Sequence, residues 1–135
     1  MPGWREFTAV AVGGVLGTGL RLLLDTVIPH SDPTFPLSTL IINVVGSFAL
    51  GLLVSTLWKR PRFPSWLKAG LGAGTIGSFT TFSAFAVSLV AEANSELLGL
   101  AALYFVLTMV LGFAAAASGI RLGGRAHNDR DTVDE

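Results

Sequence analysis

Hydrophobic residues run through this chain in blocks too long for a soluble core. Residues 37–58, 69–91 and 97–120 contain no charged side chain, and residues 7–28 are interrupted only by Arg21 and Asp25. About 20 apolar residues in a helix cross a hydrocarbon core about 30 Å thick, and each block meets that length. Lipid offers no partner to a backbone amide or carbonyl, so the spans are predicted to be helices. Short polar joints separate them: "PHSDPTFP" at 29–36, "KRPRFPSWLK" at 59–68 and "EANSE" at 92–96. The pattern predicts an all-α integral membrane protein with four transmembrane helices, at about 7–28, 37–58, 69–91 and 97–120. These form one domain over 1–122, and the polar stretch 123–135 is predicted to be a disordered tail. The first span is expected to stay in the protein rather than be cleaved as a signal. It is long, carries Arg21 inside, and lacks a small-x-small site before the next span.

Composition supports the membrane reading and removes other classes. The 135 residues are 51% hydrophobic and 13% charged, against roughly 25% charged in soluble domains. The formal net charge is zero, which argues against nucleic acid as a partner. There is no cysteine, so thiolate metal sites are excluded. His30 and His127 lie in separate polar segments, and a metal site shared between them is not expected. No Ser/His, Asp/Asp or metal-ligand set lies within the spans, so an intramembrane enzyme is not expected either.

The charges also orient the chain. Of nine Lys and Arg residues, all but Arg21 lie at the N-terminus (Arg5), in the 59–68 joint (Lys59, Arg60, Arg62, Lys68) or in the tail (Arg121, Arg125, Arg130). In a four-helix arrangement these share one side of the membrane. The other side holds Asp32, Glu92 and Glu96 and no Lys or Arg. Positive segments stay cytoplasmic. The expected location is the cell inner (plasma) membrane, with both termini cytoplasmic and a single direction of insertion.

The third block is the most polar. "GAGTIGSFTTFSAF" (72–85) holds glycines, phenylalanines and hydroxyl side chains without one charge. Residues 72–77 spell G-x-G-x-x-G, but a dinucleotide site needs a preceding strand in a βαβ unit, and none fits inside an uncharged span. Gly70 and Gly74, four apart, permit close helix contact. Gly77 and the hydroxyl and β-branched residues after it make a weak helix segment. A break there frees carbonyls that must be buried in protein or bound by a ligand, and discontinuous membrane helices use such carbonyls to coordinate Na⁺. With no charged residue nearby, a monovalent cation suits the segment better than a divalent one.

Other polar or aromatic positions carry two readings each. Phe79, Phe82 and Phe85 form either a packing stripe or a set of rings whose positive edges line the path of a small anion. The amide of Asn43 either joins helices, at around 0.6 kcal/mol per hydrogen bond, or donates to a passing anion. Arg21, about 21 Å along a helix begun at Phe7, either pairs with Asp25 at the membrane edge or draws an anion to a vestibule. Tyr104 and Thr108 are one turn apart on one face, where their hydroxyls bond back to the preceding turn or continue a polar track.

Three motifs, in order, resemble one family. Residues Gly13-Gly14-Val15-Leu16-Gly17 through Arg21 are similar to a first-helix pattern G-G-x-x-G-x-x-x-R. "PLSTLIINVVGSF" (36–48) is similar to a second-helix pattern P-x-G-T-L-x-x-N-x-x-G-S-F, with Ser38 in place of glycine. "GSFTTFSAF" (77–85) resembles the third-helix signature G-x-x-T-T-F-S-T-F. These motifs mark a resemblance to the Fluc (CrcB) fluoride channels over about residues 9–120.

The resemblance implies an antiparallel dimer of four-helix subunits with two anion pores at the interface. Fluoride that entered as HF and ionised in the cytoplasm would leave through them passively, which lowers its toxicity. It implies that Asn43 donates to fluoride and that Phe82 and Phe85 line the pore with their ring edges. Gly77 and Thr80 would give backbone carbonyls to a structural Na⁺ shared by both subunits. Arg21 would make the vestibule electropositive, Ser83, Tyr104 and Thr108 would extend the polar track, and Phe79 would pack. A pore for so strongly hydrated an anion must replace its water with several weak donors. Ala84 and Ser88 depart from a hydroxyl and a Glu common in the family, and Gly112 offers no hydroxyl one turn beyond Thr108.

An antiparallel homodimer requires one sequence to insert both ways, and the one-sided Lys/Arg distribution opposes that. The expected partner is therefore a related subunit of opposite orientation, with the homodimer as the alternative. This chain would then be a non-conducting or partner-dependent half of the channel. A small multidrug-type exporter is a distant alternative, since it needs a carboxylate at mid-membrane and the first span has only Asp25 near its edge. A non-transporting scaffold subunit is the other.

Overall fold

The computed structural model describes residues 3–28 and 35–131, side chains from 126 onward excepted. Its helices are α1 (Trp4–Val27), α2 (Leu37–Ser55), α3 (Ser65–Ala69), α4 (Gly77–Phe79), α5 (Phe82–Asn94) and α6 (Leu98–Asp131), with a π-helical segment at Gly70–Ile76 and a 3₁₀ turn at Leu57–Lys59. Grouped as spans, Trp4–Val27, Leu37–Lys59, Ser65–Asn94 and Leu98–Arg125 are the 4 helical stretches long and apolar enough to cross a membrane. The predicted all-α, four-span architecture holds among the described residues. The joint containing His30 and Asp32 lies outside them.

Small residues decide how the spans meet. Lipid tails are as apolar as leucine, so helices associate through close packing rather than by hiding apolar surface. Accordingly Val15, Leu22, Val87, Val106 and Phe113 remain exposed. α1 packs chiefly on the π segment, and α2 chiefly on α6. A Cβ added at Gly13 would fall on the Gly70 carbonyl oxygen, and one at Gly17 on that of Thr75. At the second contact, a Cβ on Gly51 would fall on the Ala116 carbonyl oxygen and one on Gly119 on that of Phe48. Backbone thus meets backbone at both seams, which only glycine permits.

The last helix outruns its apolar block. α6 continues to Asp131 where a disordered tail from 123 was expected. Packing supplies the reason for the first added turn: Gly123 is buried against Ser55 at the end of α2. The Ser55 hydroxyl in turn donates to the Gly51 carbonyl at 2.9 Å and lies 3.3 Å from the Gly119 carbonyl. At the same end, Ser65 donates to the Glu6 carboxylate at 2.7 Å. That bond places the N-terminus and the 59–68 joint on one face of the bundle, as the four-span count requires.

The third span is not one rod. In the π segment the Thr75 hydroxyl donates to the Gly70 carbonyl five residues back, at 3.1 Å. Helical conformation stops at Phe79, and Thr80 (φ −73, ψ 155) and Thr81 (φ −145, ψ 119) are extended before α5 begins. The interruption does not fall at Gly77, which is helical with φ −62 and ψ −32. It falls on two β-branched residues, whose side chains favour extended backbone.

Candidate ion site at the broken third span

Helix ends supply partial charges, and here two of them meet. The C-terminal end of α4 presents carbonyls, and the N-terminal end of α5 presents amides, with only Thr80 and Thr81 between. Thr81 is the N-cap of α5, its hydroxyl accepting from the Ala84 amide at 3.1 Å. The positive end of the α5 dipole makes this point attractive to an anion.

One side chain from α2 holds the interruption open. Asn43 donates through its NH₂ to the Thr81 carbonyl at 3.0 Å and accepts the Thr81 amide on its Oδ1 at 2.9 Å. This reciprocal pair fixes the orientation of the Asn43 amide, since flipping it would set donor against donor and acceptor against acceptor. One N–H joins the helix to Thr81, and the second is left over for another acceptor.

The same bonds release two carbonyls. In an unbroken helix the Gly77 carbonyl accepts from the amide four residues on, at Thr81, and the Thr80 carbonyl accepts from Ala84. The Thr81 amide goes to Asn43 and the Ala84 amide to the Thr81 hydroxyl. Gly77 and Thr80, the two residues singled out for carbonyl coordination, are among those deprived of their helical donors, as are Ser78 and Phe79 between them. Their uncharged oxygens suit a hard monovalent cation, so the donor set fits Na⁺.

A cleft of about 470 Å³ runs beside this point, lined among others by Asn43, Gly77, Thr80, Phe82, Phe85 and Thr108. The fold therefore gathers six of the nine predicted site residues. Phe85 is 5% exposed, whereas Phe82 is 79% exposed although it lines the cleft. Their ring centroids are 6.0 Å apart with planes tilted by 48°. Phe79, assigned to packing, lies half-buried beside Gly46.

The remaining three lie outside the cleft lining. Tyr104 is fully buried behind it, its ring 5.2 Å from that of Phe85. Ser83 is exposed on α5 with its hydroxyl 3.2 Å from that of Thr81. Arg21 is half-buried on α1, its Nε enclosed without a hydrogen-bond partner among the described residues. Of the departures, Gly112 lines the cleft, while Ala84 and Ser88 are half-buried on α5.

Sequence reasoning missed Thr81 and Ser47. Thr81 is buried and makes the contacts that define the break, and Ser47 lines the cleft one turn beyond Asn43. A signal existed for each: a threonine just before "FSAF" is an N-cap candidate, and residues four apart share a helix face.

Comparison with known proteins identifies the lineage. Residues 8–120 match the family described as CrcB-like protein, Camphor Resistance (CrcB). The chain is 37% identical over 115 residues to the Fluoride-specific ion channel FluC of Agrobacterium fabrum, covering 84% of this chain and 92% of that one. It is 43% identical over 119 residues to Fluoride-specific ion channel FluC 1 of Leifsonia xyli subsp. xyli, covering 87% and 86%. To FluC 2 of Geobacillus kaustophilus it is 36% identical over 114 residues, covering 84% and 88%. Sequence likeness of this extent, over nearly the whole of the membrane-spanning part, places the chain in the CrcB family.

Proposed function

We propose that this chain is a subunit of a fluoride-specific channel, not an enzyme, through which cytoplasmic fluoride leaves the cell down its gradient. The observation that carries the reading is the Asn43–Thr81 pair, because it brings a spare amide donor, a half-helix N-terminus and two phenyl rings to one cleft. Fluoride is a hard hydrogen-bond acceptor and must exchange its hydration shell for donors of similar number but weaker hold. The second N–H of Asn43, the edges of Phe82 and Phe85 and the Thr108 hydroxyl provide them without a full positive charge that would trap the ion. Ser83 and Tyr104 extend the path and Arg21 raises the local potential at a mouth. Gly77 and Thr80 would hold Na⁺ through their backbone carbonyls, and its charge would offset the carbonyl ends at the break.

The functional unit in this reading is an antiparallel dimer. Phe82 supports it, since a ring that lines a cleft yet is mostly uncovered calls for a second surface opposite. The one-sided Lys/Arg distribution favours a related partner of inverted topology, with both termini of this chain cytoplasmic in the inner membrane. Reporter tags on the N- and C-termini of the chain expressed alone are expected to report cytoplasmic ends only, and fluoride efflux to require the partner. A mixed population of tags, with efflux by this chain alone, would establish the homodimer instead.

Fluoride efflux from liposomes, read with a fluoride electrode, tests the assignment. Replacing Phe82 with isoleucine keeps apolar bulk and removes the ring. Because the side chain is largely uncovered in the subunit, the subunit should fold normally while efflux falls by about tenfold or more, the factor attached to roughly 1.4 kcal/mol. Unchanged efflux in this variant would remove Phe82 from the conduction path.

A further inference from the structure

The end of the bundle that carries the positive charge also carries every tryptophan. The bond between Ser65 and Glu6 joins the start of α1 to the 59–68 joint, and Gly123 packs against Ser55 and Thr56, which brings α6 to the same end. Of the nine Lys and Arg residues, all lie there except Arg21, with the side chain of Arg130 outside the described residues. The chain's three tryptophans, Trp4, Trp58 and Trp66, are at this end and none is at the other. Tryptophan belts normally mark both faces of a membrane protein. Here one face alone is marked.

The joint is built rather than loose. The Arg60 amide donates to the Leu57 carbonyl at 3.2 Å, the Phe63 amide to Arg60 at 3.1 Å and the Lys68 amide to Pro64 at 3.1 Å. The Lys68 ammonium donates to the Trp58 carbonyl at 3.0 Å, and the Trp58 ring lies over Gly72, where an added Cβ would be 2.7 Å from it. From this fixed backbone Lys59, Arg60 and Arg62 are exposed. Among the described residues none of the three has an ion-pair partner. Glu6, the one described carboxylate at this end, is taken by Ser65.

Tryptophan rings sit at the level of lipid headgroups. Trp66 is 39% exposed in the same joint, and Trp4 on the adjoining start of α1 is 73% exposed. The headgroup plane therefore passes through the joint, and the exposed cations meet lipid phosphate there. Guanidinium groups pair with phosphate oxygens in a two-pronged manner that suits such a contact. A zwitterionic headgroup brings its own cation to the phosphate, whereas an anionic headgroup leaves the charge to the protein.

We propose that the joint is a binding seat for an anionic phospholipid, with Lys59, Arg60 and Arg62 on its phosphate and Trp66 at the boundary of headgroup and acyl chain. The seat depends neither on the fluoride reading nor on the direction in which the subunit inserts, because it belongs to whichever leaflet meets this end.

Native mass spectrometry of the full chain in an uncharged detergent, titrated with phosphatidylglycerol or phosphatidylcholine, tests the seat. The wild type is expected to retain phosphatidylglycerol under conditions that strip phosphatidylcholine, and to unfold at higher temperature when the anionic lipid is added. Each Lys or Arg beside an anionic leaflet contributes about a fivefold gain in affinity. Lys59→Gln with Arg60→Gln should therefore weaken phosphatidylglycerol binding by about 25-fold. Both side chains are exposed, so the variant should fold, and the wild-type comparison of lipids requires no variant. Arg121→Gln with Arg125→Gln removes the same charge from the end of α6, where there is no tryptophan, and should weaken binding far less. Equal loss in the two variants would show a diffuse attraction of the whole face and overturn the seat. Equal retention of the two lipids would overturn it as well. Displacement of the lipid by inorganic phosphate or glycerol 3-phosphate at equal concentration would assign the cations to a soluble phosphate and defeat the lipid reading. None of these measurements involves fluoride.

Discussion

Asn43→Ala is expected to abolish fluoride efflux and to destabilise the subunit together. The substitution removes the bonds to the Thr81 carbonyl at 3.0 Å and from the Thr81 amide at 2.9 Å. Alanine offers neither donor nor acceptor, and Thr81 is buried. Each orphaned backbone group costs about 1–3 kcal/mol, so the loss amounts to about 2–6 kcal/mol for the two. The extended pair Thr80–Thr81 would then relax, taking the N-terminus of α5 and both phenyl rings with it. Efflux should fall by about 100-fold or more, as 2.8 kcal/mol of lost positioning implies, and thermal unfolding in detergent should begin at lower temperature.

Asn43→Asp separates geometry from size. Aspartate keeps an oxygen for the Thr81 amide but sets its second oxygen against the Thr81 carbonyl, where the NH₂ group stood. It should rescue neither efflux nor stability at neutral pH, because acceptor faces acceptor. Wild-type efflux in the alanine variant would mean that the bracket is dispensable and that the interruption is held by other contacts.

Gly17→Ala should disrupt the bundle more than its single methyl group suggests. The new Cβ would fall on the Thr75 carbonyl oxygen, with the Thr75 carbonyl carbon at 2.9 Å and the Phe79 amide nitrogen at 3.1 Å. All three are backbone atoms, which cannot turn aside as a side chain does. α1 must separate from the third span, at a cost of about 1–3 kcal/mol for overpacking. The displaced residues lie immediately before Thr80, so the site moves with them and efflux falls.

Gly19→Ala on the same helix is the matched control. Nothing lies within 4 Å of a Cβ there. Alanine is the better helix former by about 1 kcal/mol, so this variant should unfold at the wild-type temperature or above. Equal behaviour of the two variants in thermal unfolding would show that the α1 seam tolerates separation, contrary to the backbone contact described.

Much of the site was legible in residue type before any coordinates. Glycines at Gly70 and Gly74 suggested close packing, hydroxyls around Thr80 suggested weak helix, and Asn43 in an apolar run required a polar partner. Neither the partner nor the position of the break could be read in the same way. Asn43 and Thr81 are 38 residues apart in the chain, and their pairing depends on how deeply α2 docks beside the third span. Likewise the weak segment of Gly77 and the hydroxyl and β-branched residues after it was legible, whereas the interruption within it, at Thr80 and Thr81, is set by tertiary hydrogen bonds.

The sequence by itself determined the number of spans, their helical state and their charge asymmetry, because each depends on the local contest between side chains, water and lipid. Only the tertiary structure decided which amides leave the helix to bond elsewhere, which carbonyls they release, and that Tyr104 and Glu92 are enclosed. Those outcomes follow from the meeting of surfaces on separate helices, where a fraction of an ångström separates a hydrogen bond from an unmet one and no local periodicity records the result.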